Sequence, residues 1–193
     1  MTTHRIPHRT VQVTAIALTA ISIASAVGCG RSTPAEPPPH TLSQFCAPLL
    51  QYFDRDLKLE NVKLTTLGIA DKKGLNDSTT SENCSFSGSS GTVNGSAWIN
   101  RLSDNAKLTN SPQWFKDQGY KPLPGHSADI WINDSRTITQ PIQKKGTLDL
   151  ITQVGVWQGH IEIVDDAGPL AITDEQVGKA ADAIIAATTA VDR

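Results

Sequence analysis

The chain has 193 residues, 38% hydrophobic and 19% charged, a balance that fits a folded protein and excludes an intrinsically disordered one. Its formal net charge is −2, with 19 acidic against 17 basic side chains, and no basic cluster rises above Lys72-Lys73 or Lys144-Lys145. A nucleic-acid partner, which needs a concentrated positive face, is therefore not expected.

The first element is a targeting segment over residues 1–28. His4 to Arg9 is short and basic, and Val11 to Val27 is uncharged and rich in Ala, Ile and Val, the pattern of an export signal. The apolar stretch is slightly short of the roughly 20 residues of a comfortable membrane span. Ala26-Val27-Gly28-Cys29 follows directly and resembles a bacterial lipobox, with Ala26 where Leu is usual. Small side chains let a peptidase reach the backbone, and only a Cys thiol can take a diacylglyceryl thioether. The expectation is cleavage before Cys29, with lipidation of its sulfur and a palmitate-type chain on the freed amine. Each buried methylene adds about 0.8 kcal/mol, so two or three chains anchor where one does not. The domain would then sit on the extracytoplasmic face of the cell membrane. Two other readings stay open: an ordinary secretory signal that leaves Cys29 free, and an uncleaved anchor. Asn-X-Ser triplets at Asn76, Asn83, Asn94 and Asn133 read as chance in a Ser- and Asn-rich chain.

Residues 29–41 form a tether, with Pro34, Pro37, Pro38 and Pro39 and no apolar periodicity. Such segments extend at about 3.1 Å per residue. Residues 42–193 are then a single globular domain. With Cys29 assigned to lipid, Cys46 and Cys84 remain, and two cysteines in an exported domain are expected to pair.

Thr41-Leu42-Ser43-Gln44 is a capping box and Pro48 suits a first helical turn, so a helix is expected over about Ala47 to Leu57, with Cys46 at its start. Val62 to Ile69 and Cys84 to Ser87 have strand content, separated by a polar loop. Thr92 to Leu102 alternates, with Val93, Gly95, Ala97 and Ile99 on one face and Asn94, Ser96 and Trp98 on the other. Gly88-Ser89-Ser90-Gly91 suits a hairpin connection. Ser111-Pro112 starts a short helix that Gly119 stops. Pro122-Leu123-Pro124-Gly125 reads as a turn, Ala128 to Asn133 as a strand and Arg136 to Gln140 as another. Thr147 to Trp157 alternates, Gln158-Gly159 reads as a two-residue link, and His160 to Val164 returns as a hairpin arm. A second capping box, Thr173-Asp174-Glu175-Gln176, opens a helix with Val177, Ala181, Ile184, Thr188 and Val191 on one stripe. The fold class is α+β, an antiparallel sheet with helices packed on one face.

No catalytic constellation emerges. His126 has Ser127 beside it but no Gly-X-Ser-X-Gly elbow, and reads as a solvated loop histidine. His160 and Glu162 share a strand face; a zinc site would need further ligands, and the pair reads as a polar outer face. Ser103-Asp104-Asn105 lacks the companion motifs of penicillin-recognising enzymes and reads as a turn. No metal or cofactor is expected. Trp98 and Trp157 both fall opposite the main apolar alternation of their strands. They either cover a second small core or line a groove for an apolar or glycan ligand.

Phe45-Cys46-Ala47-Pro48-Leu49-Leu50, Cys84-Ser85-Phe86, and Gly119-Tyr120-Lys121-Pro122-Leu123-Pro124-Gly125 with Ala128-Asp129 and Trp131 complete a pattern. With the lipobox and tether, the chain resembles the small actinobacterial surface lipoproteins of unknown function. His126-Ser127 stand where members of that group often carry an acidic residue. The resemblance implies an α+β domain with one disulfide and no established activity. The expected function is a non-enzymatic binding module of the cell envelope, with a membrane partner through its lipid and an envelope protein as a possible second. The alternatives are a carrier of an apolar or glycan ligand and, behind it, a cell-wall hydrolase.

Overall fold

Thr41 opens the first helix, α1 (Leu42–Gln51). Its hydroxyl accepts from the Gln44 N–H at 3.2 Å, and Gln44 Oε1 accepts from the Thr41 N–H at 2.8 Å. The computed structural model describes residues 40–67, 75, 82–89, 91–102, 111–137 and 145–192. The helix starts directly after the capping box rather than near Ala47, so Pro48 lies inside it and Cys46 faces the core from its middle. The last turn widens over Tyr52–Asp56 to π geometry, with the Leu57 N–H donating to the Tyr52 carbonyl at 3.0 Å. Leu42, Phe45, Cys46 and Leu49 form the buried stripe, at the spacing of one helical face.

Seven strands follow: β1 (Lys63–Leu67), β2 (Glu82–Ser87), β3 (Val93–Arg101), β4 (Lys121–Pro122), β5 (Ile130–Ser135), β6 (Gly146–Val154) and β7 (Trp157–Asp165). They pair antiparallel in the order β1-β2-β3-β7-β6-β5-β4. Of the strand expected over Arg136 to Gln140, residues 136 and 137 follow the end of β5 at Ser135 without strand pairing, and 138–140 lie outside the described residues. Pro122, expected in a turn, pairs with Trp131 in β4.

The β6–β7 hairpin turns at Gly155-Val156, not at Gln158-Gly159. Gly155 has φ +57, which a side chain disfavours. Gly159 lies inside β7, where the sheet meets the last helix: a Cβ there would come within 1.9 Å of Thr188 Oγ1.

That helix, α3 (Asp174–Ala190), carries the second capping box as expected, and Val177, Ala181, Ile184, Thr188 and Val191 are all buried. Buried Thr188 donates its hydroxyl to the Ile184 carbonyl at 2.8 Å, so no polar atom there is left unpaired. Helices α1 and α3 pack together on one sheet face over Phe86, Ala97, Leu148, Leu150, Ile161 and Ile163. The fold is α+β, a single domain with both long helices on one face. The short α2 (Pro112–Asp117), capped by Ser111, lies on the other face. Cys46 of α1 and Cys84 of β2 form a disulfide in the core between helices and sheet, both fully buried.

Arg136 locks the end of β5 to the start of α3. It donates to both Asp134 carboxylate oxygens at 2.9 and 2.7 Å, to the Ile172 carbonyl at 2.7 Å and to Asp174 at 2.7 Å. The Arg136 hydrogen bonds hold the Asp134 carboxyl below its ordinary range. A carboxyl depressed in the folded state contributes stability above its unfolded value and loses it as pH falls through the folded one. Acid titration of stability should therefore steepen below the ordinary carboxylate range, and Arg136→Gln should flatten that limb in pH-dependent urea melts.

Candidate functional site

The face away from α1 and α3 carries the polar side chains of Asn94, Ser96, His160 and Glu162 on β3 and β7. The β3–β7 register places Trp98 opposite His160 and Ser96 opposite Glu162 on that face. The Trp98 and His160 rings lie 4.7 Å apart at a tilt of 37°. His160 Nε2 bonds Asp149 Oδ1 on the neighbouring strand β6, and Tyr120 donates its hydroxyl to the other oxygen, Oδ2, at 2.5 Å. Asp149 therefore has both oxygens engaged, each by a different element. Burial, reinforced by the Asp149 hydrogen bond and charge and by Glu162, pushes the Tyr120 phenol well above its ordinary value, so it stays protonated and donates to Asp149. With Nε2–H given to the carboxylate, Nδ1 is the remaining nitrogen of His160, and among the described residues it has no partner.

Tyr120 reaches Asp149 because Gly119, at φ +83, turns the chain out of α2 and the Tyr120 N–H bonds the Phe115 carbonyl at 2.9 Å. Phe115 in turn stacks on Trp131 of β5 at 4.7 Å and 10°, over Ile151 of β6. A second small core thus forms on this face from Phe115, Tyr120, Ile151 and Trp131. Trp114 stays 38% exposed, edge-on to Phe115.

Trp98 and Trp157 do not share a face. Trp157 pairs with Val154 and Arg101, lies on the helix side at 4% exposure, and meets the His40 ring edge-on at 6.1 Å. The displaced hairpin turn is the reason: β7 begins at Trp157, which puts it in phase with buried Gly159, Ile161 and Ile163. Trp157 packs against His40 on the helix side, and the sheet lies between it and Trp98.

His126 is not solvated. Its Nδ1 lies 2.7 Å from Asp182 Oδ1 of α3, its side chain is 12% exposed, and the pair clamps the Pro124–Ala128 loop onto the helix. Neither His126 nor His160 is hydrogen-bonded to a hydroxyl or thiol among the described residues. His160 and Glu162 do share a strand face as expected, and among the described residues no three His, Cys, Asp or Glu side chains are placed to hold a metal ion. Ser103-Asp104-Asn105 and Cys29 lie outside the described residues.

Asp149 and Tyr120 were missed by sequence reasoning. Asp149 left one signal: it is a lone charge inside the apolar run Leu148–Ile151, on the parity opposite Leu148 and Leu150. Compared with protein-family models, curated proteins and solved structures, the chain matches none.

Proposed function

We propose that the chain is a lipid-anchored cell-envelope protein, cut before Cys29 and acylated there. Residues 29–41 serve as its tether, and the α+β domain is a non-enzymatic binding module on the extracytoplasmic side. The lipobox-like Ala26-Val27-Gly28-Cys29 and the Pro-rich run support the anchor. The buried Cys46–Cys84 disulfide suits an oxidising compartment. No helix among the described residues is long and apolar enough to cross a membrane. The likeness to actinobacterial surface lipoproteins supports the same placement.

The observation that carries the binding reading is the Trp98–His160–Asp149–Tyr120 row. Its members hold one another across β3, β7, β6 and the α2–β4 turn. Such a row presents a surface ordered before anything binds, which lowers the entropy that association costs.

A photoreactive side chain in place of Ser96, on the same face, should give a discrete cross-linked adduct in the native envelope. The same group in place of Glu175, exposed on α3, should not. Equal labelling from both positions, or none from the sheet face, would remove the binding surface from this face.

A further inference from the structure

The sheet face carries a second feature, at its β5 end. Stacking on Phe115 uses one face of Trp131 and fixes its plane, yet Trp131 remains only half-buried. Its ring lines two adjoining clefts. One, of about 320 Å³, lies between Pro112 and Phe115 of α2 and Gln153 of β6. The other, of about 270 Å³, lies under the loop that carries Pro124 and His126. Asp129 and Trp131 line both, so the clefts adjoin at that pair. Each is near the lower end of volumes that hold small ligands, about 300 Å³.

The polar groups here differ from those around His160. The Thr152 hydroxyl donates to the Asp129 backbone carbonyl at 2.8 Å and so pins that residue's main chain. The Asp129 carboxylate itself is exposed and, among the described residues, has no partner; the Gln153 amide has none either. The trough thus offers an indole of fixed plane, a carboxylate and a primary amide. Among the described residues, no Lys or Arg lines either cleft.

We propose that this trough binds a neutral sugar chain. A pyranose ring has an apolar C–H face that stacks on an indole and pairs of hydroxyls that bridge a carboxylate or an amide. The trough supplies both kinds of partner within one opening. An anionic polymer would meet the Asp129 carboxylate with no cation among the described lining residues to offset it. An acyl chain would leave the Asp129 and Gln153 polar groups without partners. Two clefts flanking one indole suit at least two linked rings. The proposal rests on the binding-module reading and adds a ligand class and a site to it.

The test uses saturation-transfer NMR on the full-length protein in detergent, with maltotriose, mannotriose and tri-N-acetylchitotriose as probes. At least one trimer should take up saturation at its ring protons. Asp129→Asn and Gln153→Ala should each weaken that binding about tenfold, the scale of one lost hydrogen bond to a charged or buried polar group. Both side chains reach solvent, so these variants should keep the parent melting curve, whereas Trp131→Ala also unseats Phe115. Glu175→Gln, exposed on α3 and away from this sheet face, should leave sugar binding unchanged. Transfer to none of the trimers, or to a Pro-rich peptide probe in their place, would overturn the assignment. So would binding that survives both Asp129→Asn and Gln153→Ala. If the Ser96-position cross-link persists while the trimers fail, the sugar assignment falls alone. If both fail, the binding reading falls with it.

Discussion

Replacing Cys46 and Cys84 together by alanine is expected to lower the unfolding free energy by about 4 kcal/mol, the chain-entropy value for a loop of this length. The two cysteines are 38 positions apart, and their bond ties the middle of α1 to the second strand. Without it, the unfolded chain regains the freedom of that whole loop. Both side chains are fully buried, so the substitution also leaves small voids in the core, which add to the cost. Against a typical total of about 5–15 kcal/mol, the loss is large. Urea melts of the full chain should show the midpoint falling for the parent under reductant, and falling further for the double alanine variant, which also loses the two side chains. A parent whose midpoint ignores reductant would mean that the pair contributes nothing to the folded state.

Phe53→Ala should cost about 3–5 kcal/mol, the range for removing a buried phenyl ring. Phe53 is fully buried, stacks on Phe86 at 4.6 Å and 17°, and meets Tyr52 edge-on at 5.4 Å. Its ring tip fills the space that a side chain on β3 would occupy, since a Cβ on Gly95 would lie 1.9 Å from Phe53 Cζ. The two positions therefore form one unit. Gly95→Ala in the parent should cost about 1–3 kcal/mol through overpacking. In a Phe53→Leu background, where the ring tip is gone, that penalty should shrink by about 1 kcal/mol or more. Equilibrium unfolding of the four proteins in this cycle measures the coupling directly; additive penalties would mean that the ring and the glycine do not confront one another.

Local signals were legible where one short stretch decides the outcome. Both capping boxes sit where Thr41 and Thr173 place them, and the α3 stripe is buried as its spacing requires. The alternation in β3 is also recovered, with Gly95, Ala97 and Ile99 inward and Trp98 outward. Errors arose where two local signals competed. At α1 both Thr41 and Pro48 mark a helix start; the cap prevails, because it satisfies amide groups that the first turn would otherwise leave open. At the last hairpin two glycines sit four residues apart. Gly155 is needed for its positive φ and Gly159 for the closeness of Thr188, and neither requirement is visible without α3 in place. Misplacing that turn also misplaced Trp157.

The candidate site was the least legible part. His160 and Trp98 were singled out one by one, but Asp149 and Tyr120 join them only through the β6–β7 register and the turn after α2. Cross-strand register belongs to the folded sheet, so residues 29 positions apart in sequence, such as Tyr120 and Asp149, show no kinship along the chain. His126 is a parallel case: its partner Asp182 lies 56 positions away on α3.

The claim on which the functional account turns is that the domain works from a lipid anchor at Cys29. Intact-mass and N-terminal peptide analysis of the protein purified from its own envelope tests it most directly. The account predicts a mature chain that begins at Cys29, with its mass raised by a diacylglyceryl group and an amide-linked acyl chain. A mature chain with an unmodified N-terminal cysteine, or one that still carries residues 1–28, would contradict it.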